Sequence, residues 1–130
     1  MLTTVLSITL PYLPPREFSP NSRVHWRTRH KAGVQAKNDI IALVREQQWQ
    51  GPPLEGATVT VKWGLPSKGA FDWDNLIART KPLIDALVDA GVLTGDSVRD
   101  YQPEYGWFYN PKKPQTVIEV TPCNSRLEPS

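Results

Sequence analysis

The sequence predicts an α/β protein of the α+β type: one small mixed sheet with two main helices, in the order strand, loop, helix, strand, helix, strand, strand. Three observations carry that prediction. Ala57, Val59, Val61 and Trp63 alternate with Thr58, Thr60 and Lys62, the period of a strand with one buried and one wet face. Apolar residues recur at helical spacing between Ala32 and Trp49 and again from Leu76 to Val88. A length of 130 residues suits one hydrophobic core and leaves little room for a second. Residues 1–123 are therefore read as a single domain and residues 124–130 as a frayed tail.

The first strand is carried by Leu6, Ile8 and Leu10 alternating with Ser7 and Thr9, and Pro11 stops it. Met1 to Leu10 is apolar but lacks a basic start and a small-residue cleavage site, so it reads as neither a signal peptide nor a membrane span. From Pro11 to Lys31 the richness in Pro, Ser and Asn predicts a long irregular segment. An amphipathic helix is expected over Ala32 to Trp49, with Val34, Ile41 and Val44 at helical spacing and Ile40 and Leu43 beside them; Gly51-Pro52-Pro53 ends it. The alternation of the strand from Ala57 favours an antiparallel or mixed sheet over a fully buried parallel one. Gly64 to Ala70 is a turn-rich connector to the second helix. Val98 to Tyr109 is aromatic and strand-like, and Pro103 and Gly106 mark it as an edge strand or a bulge. Asn110 to Pro114 makes a basic turn, after which Thr116 to Thr121 closes the sheet with Thr116, Ile118 and Val120 on one face.

The formal net charge of +2 conceals an asymmetry. Arg16, Arg23, Arg27, Arg29, Lys31 and Lys37 face the single acid Glu17, whereas seven acids between Asp72 and Glu104 face Arg79, Lys81 and Arg99. One region suits a polyanion and the other a cation. In the basic segment Arg23, His25, Trp26, Arg27, Arg29 and Lys31 combine phosphate-binding charge with a ring able to stack on a base or sugar. The alternative is a solvated basic loop with Trp26 packed into the core. The only cysteine, Cys123, excludes an internal disulfide and a Cys-based zinc site, and a reducing cytoplasm is the natural compartment.

Chemistry concentrates between Phe71 and Asp96. Asp72 and Asp74 point to the same side if Phe71 to Asp74 is extended, and paired carboxylates are what Mg²⁺ requires, with water and phosphate oxygens completing the shell. An EF-hand fits poorly, since Leu76 falls at the third liganding position and the turn glycine is missing. A plain alternative is that Asp74 caps the following helix. Asp74, Ala78, Lys81 and Asp85 share one helix face, which sets the Lys81 ammonium about 10 Å from the carboxylates by helical rise. Lys81 then serves either a metal-bound phosphate or an i, i+4 ion pair with Asp85. Pro82 removes the N–H that would reach the carbonyl of Ala78, so the helix kinks or restarts near Thr80, a candidate cap. Gly91 suits a left-handed helix C-terminus, and Val92 to Gly95 returns the chain so that Asp96 can rejoin Asp72 and Asp74. Asp89 and Asp100 read as surface charges. His25 and His30 lack partners at a zinc-ligand spacing and read as DNA contacts or loop residues.

These residues resemble the RusA-type Holliday junction resolvases, endodeoxyribonucleases of phage and prophage origin. The similarity runs from the opening strand and its Ser19-Pro20-Asn21 loop through Asp72-Trp73-Asp74-Asn75-Leu76, then Lys81 and Asp85-Ala86-Leu87, to Gly91-Val92 and Asp96-Ser97. The resemblance implies a RusA-like nuclease domain: a homodimer in which Asp72, Asp74 and Asp96 bind Mg²⁺, with Mn²⁺ as a substitute. Asn75 then gives support and Lys81 is the essential lysine. It further implies branched DNA as the partner, no organic cofactor, and the cytoplasm of a bacterium or a phage-infected host. Two departures stand out. The better-known members carry the lysine four residues after the second aspartate, where this chain has Ala78, and often have two acids together where this chain has Gly95-Asp96. The expected activity is Mg²⁺-dependent resolution of four-way junctions in DNA recombination and repair, through attack of an activated water on a backbone phosphate. Two alternatives remain: a noncatalytic branched-DNA-binding protein on the same fold, and another Asp-x-Asp metal-dependent phosphotransfer enzyme.

Overall fold

The computed structural model of the chain describes residues 5–18, 25–69 and 71–122. Arg23, the Ser19-Pro20-Asn21 loop, Cys123 and the expected tail lie outside the described residues. Four strands, β1 (Leu6–Leu10), β2 (Ala57–Leu65), β3 (Tyr101–Tyr109) and β4 (Gln115–Thr121), form one sheet in the order β1-β4-β2-β3. β4 pairs antiparallel with both β1 and β2, while β3 runs parallel to β2. The sheet is mixed, one of the two arrangements that the alternation of β2 favours, and β3 is an edge strand that starts at Tyr101 rather than at Val98.

Register explains the two faces. Ile8 faces Ile118 across the β1–β4 pair, and Val61 faces Ile118 and Val59 faces Val120 across β2–β4, so all share one side of the sheet. That side is buried, together with Leu6, Leu10, Ala57 and Trp63. Ser7 and Thr9 are exposed on the other side, where Lys62 pairs with Glu119 at 3.3 Å. Helices cover the apolar side: α1 (Trp26–Glu46) packs on α3 (Lys81–Asp89), and α2 (Trp73–Arg79) precedes α3. Trp63 is the largest fully buried side chain, stacked on Tyr105 with ring centroids 5.5 Å apart. Its Nε1–H finds no acceptor among the described residues. Such a buried donor costs about 1–3 kcal/mol, more than the roughly 0.5–1.5 kcal/mol of an aromatic pair, so full burial of the indole has to supply the rest.

The first helix departs from expectation at its start. It begins at Trp26, inside the stretch expected to be irregular, and ends at Glu46. His25 caps it: its Nδ1 accepts from the backbone N–H of Arg27 at 3.1 Å. Buried residues are Ala36, Ile40 and Val44, a stripe at steps of four, whereas Val34 is exposed. The first two turns project beyond the core, which is why no apolar period announces them.

The second expected helix is two helices. Thr80 ends α2 and begins α3, and Pro82 sits in the first turn of α3, where a missing N–H costs nothing. Thr80 makes no side-chain cap; its hydroxyl instead donates back to the carbonyl of Leu76 at 2.8 Å. At the far end of α3, Gly91 has φ +82°, its N–H donates to Val88, and the N–H of Val92 donates to Leu87. This is the paired closure that a left-handed glycine permits. Residues 92–94 are then stitched to Leu54 by hydrogen bonds from Leu54 to Val92 and from Thr94 to Leu54. No helix among the described residues is long and apolar enough to cross a membrane.

Candidate functional site

Asp72, not Asp74, caps α2. Asp72 has extended backbone; its Oδ1 accepts from the backbone N–H of Asn75 at 2.9 Å and its Oδ2 from Asn75 Nδ2 at 3.1 Å. Asp74 lies within the first helical turn, where a negative charge suits the helix dipole. The two carboxylates therefore do not alternate along a strand. Because α2 and α3 are separate, Asp74 and Lys81 are not on one continuous helix face either.

Lys81 is held by two carboxylates. Its Nζ donates to Asp85 Oδ1 at 2.9 Å, the expected i, i+4 pair, and also to Asp96. The two hydrogen-bonded carboxylates, Asp96 foremost, push the Lys81 ammonium above its usual range, and Lys81 in turn holds the Asp96 carboxyl below its own. Asp96 reaches this position because its loop is built around Asp100. The Asp100 carboxylate accepts from Thr94 Oγ1 at 2.8 Å, from the backbone N–H of Ser97 at 2.9 Å and from Ser97 Oγ at 2.7 Å, and these donors lower its pKa. Asp100 is thus a loop organiser rather than a free surface charge. A Cβ on Gly95 would run into that carboxylate, so any side chain at this position would have to displace Asp100 from the loop. Asp89, also read as a surface charge, bridges α3 to α1 through Lys37.

Two concave regions flank these residues. One is a groove of about 400 Å³ between the start of α1 and the start of α3, lined by Trp26, Arg29, His30, Lys37, Lys81 and Asp85 among others. Trp26 is 66% exposed, so it is not a core residue. The guanidinium of Arg27 lies 5.4 Å from the Trp26 ring centroid, and that of Arg29 lies 5.9 Å from that of Phe18. His25, Arg27 and Lys31 are exposed on the same helical end. The other is a cleft of about 200 Å³ lined by Leu65, Lys68, Phe71, Asp72, Trp73, Leu76 and Trp107.

The structure thus brings Lys81, Asp85 and Asp96 together, and pairs Asp72 with Asn75. Among the described residues no three of His, Cys, Asp and Glu are gathered as a metal-holding group. The donor chemistry nevertheless suits Mg²⁺, which is usually held by one or two carboxylates and completes its shell with water and substrate phosphate. Sequence reasoning missed the second partner of Lys81 and the organising role of Asp100. Both are contacts across a loop, which periodicity does not report; the available signal was Ser97 followed three residues later by Asp100, residue types that make local turns by side-chain bonds to nearby backbone.

No family model matches the chain. It is similar to a protein of Xylella fastidiosa (strain Temecula1 / ATCC 700964), described as an uncharacterized protein, with 39% identity over 87 residues. The match covers 65% of this chain and 56% of that relative, so the chain spans little more than half of the relative's length.

Proposed function

We propose that the protein is a Mg²⁺-dependent, structure-selective endonuclease that resolves four-way DNA junctions as a homodimer. The observation that carries this reading is the groove: Trp26, Arg29, His30 and Lys37 from α1 share it with Lys81, whose ammonium meets Asp96. Cations with an exposed ring suit a nucleic-acid backbone and its bases, and Lys81, with Asp85 and Asp96 on its ammonium, stands at the edge of that surface where a phosphodiester would pass. Arg23, Arg27 and Lys31 would extend the phosphate-binding surface, largely without reading sequence. His25 caps α1 and helps fix the helix that presents Arg27 and Lys31.

Asp72 and Asp74 would hold the metal ion, with Asn75 orienting Asp72, and Asp96 would join them as a third carboxylate once Lys81 releases it. When bound, the ion would supply an activated water and stabilise charge on the leaving 3′-oxygen. The protein's own part is to position the scissile phosphate and to offset charge developing on it. Lys81 fits the second task if it leaves Asp96 as the phosphate enters.

A second reading is favoured by one observation. Lys81 is already engaged by Asp85 and Asp96, and a noncatalytic junction-binding protein on this fold would have no need to release it. One experiment separates the two. End-labelled four-way junction and matched linear duplex are each incubated with Mg²⁺ and with chelator. Cleavage of the junction alone, abolished by chelator, is the expected result. A junction-selective gel shift without cleavage would establish the binding protein, and equal treatment of junction and duplex would defeat both.

A further inference from the structure

The cleft beside Asp72 is aromatic in a way that core packing does not explain. Strand register puts Trp107 opposite Trp63 and Tyr109 opposite Leu65, on the side of the sheet that the helices cover. Trp63 is fully buried there, yet Trp107 is 44% exposed and Tyr109 52%. Trp73, at the first position of α2, is 49% exposed and meets Trp63 edge to face at 6.0 Å. The aromatic row thus leaves the core at the carboxyl ends of the parallel β2–β3 pair, the end of a parallel sheet where ligands are commonly bound. Two half-exposed indoles on one small cleft forgo burial that each could have contributed to stability.

We propose that this cleft accepts one unpaired nucleobase from a DNA strand, an assignment that rests on the branched-DNA reading above. Size supports a single ring system: about 200 Å³ is below the roughly 300–1,000 Å³ of drug-sized pockets. A planar ring entering it meets the indoles of Trp73 and Trp107, and Trp73 is backed by Trp63, which is itself stacked on Tyr105. The polar groups match a nucleotide as well. Lys68 lines the cleft with its ammonium 5.3 Å from the Tyr109 ring centroid, within reach of a strand phosphate. Each Asp72 oxygen accepts one bond from Asn75, which leaves a lone pair on one oxygen for a base N–H and one on the other for the metal ion. A base seated here brings its flanking phosphate beside Asp72, which would couple strand recognition to the site of cutting.

The test uses the intact chain with chelator present, so that no cleavage is needed for the readout. Three probes are titrated by fluorescence anisotropy: a single-stranded 12-mer, the same 12-mer with abasic positions, and a free mononucleotide. A 2-aminopurine in the 12-mer reports stacking. Wild type is expected to bind the base-bearing strand more tightly than the abasic one, to quench 2-aminopurine, and to bind the mononucleotide weakly. Trp107→Ala should weaken base-bearing strand binding by about 5- to 150-fold, the equivalent of 1–3 kcal/mol per stacked base, and Trp107→Phe should restore most of it. Trp73→Ala is read only with a thermal melt, because Trp73 also contacts Trp63. Equal affinity for abasic and base-bearing strands, or unchanged binding by folded Trp107→Ala, would overturn the proposal. Loss of self-association in Trp107→Ala with strand affinity intact would assign the cleft to a second copy of the chain and likewise overturn it. Base-dependent binding by a protein that cuts no junction would leave the cleft standing and remove the nuclease reading alone.

Discussion

Asp72 lends both carboxylate oxygens to Asn75, whereas Asp74 lies inside the first turn of α2, so the two respond differently to substitution. Asp72→Ala should cost about 0.5–2 kcal/mol through loss of the cap, while Asp72→Asn should be nearly silent in a thermal melt. Asp74→Asn should also leave stability almost unchanged. Both amide variants should nonetheless abolish cleavage while keeping or strengthening junction binding, since each removes a metal ligand and a charge that repels phosphate. Cleavage in Mg²⁺ beside a gel shift in Ca²⁺ measures this, and full cleavage by a folded Asp74→Asn would remove Asp74 from the chemistry. Lys81 gives a second, independent measurement. The lowered Asp96 pKa contributes stability that is present above the ordinary value of 3.8 and is lost as pH falls through its lower folded value. The raised Lys81 pKa contributes stability that is present below 10.5 and is lost as pH rises through its higher folded value. The difference in melting temperature between wild type and Lys81→Ala should therefore be constant through neutral pH and shrink below the carboxylate range; a difference that persists in strong acid would show that the bridge does not cause it. In cleavage, Lys81→Ala should lose an order of magnitude or more with little change in junction affinity. Near-normal cleavage would leave Lys81 as an ion-pair partner.

At the scale of elements, the first turns of α1 are built against helix electrostatics: no acid lies in the first turn, and Arg27 stands where the dipole is positive. Arg27→Ala with Arg29→Ala should hold or slightly raise the melting temperature, because Ala favours helix and one unfavourable charge is removed. The same pair should weaken junction binding and flatten its salt dependence. Unchanged affinity and salt slope would mean that this helix end is only solvated surface. This end of α1 also marks what a sequence shows and what it withholds. The strands were legible because Leu6, Ile8, Leu10, Ala57, Val59, Val61, Ile118 and Val120 each sit on a face whose burial follows a period of two. The turns from Trp26 to Lys31 were not, because a helix that buries nothing has no apolar period to read. The break at Thr80 was visible through Pro82, and the left-handed turn through Gly91. The cap falls on Asp72, two residues before the Asp74 offered as an alternative cap, since both are equally good capping residues and only the start of the helix decides between them. Asp96 was legible as a candidate, but its contact with Lys81 depends on a loop held by Asp100, and no local pattern encodes that closure.

For the whole molecule, cutting both strands of a junction needs two sites, and this chain offers one set of candidate carboxylates. Sedimentation at micromolar concentration is expected to show a dimer, with junction or without it; a monomer in both conditions would defeat the paired-site reading. The sheet order carries a separate consequence for how the protein is made. Among the described residues β1 has β4 as its sole strand partner, and β2 takes β4 on one side and β3 on the other, so every pairing seen in the sheet involves a strand synthesised after α3. At about 5–20 residues per second, β1 waits roughly 5–20 s between leaving the ribosome and the completion of β4. Throughout that interval the backbone of β1 lacks its strand partner. Until β4 is made, the apolar face of β1 therefore has to be covered by α1, which is synthesised directly after it and packs on it in the finished fold.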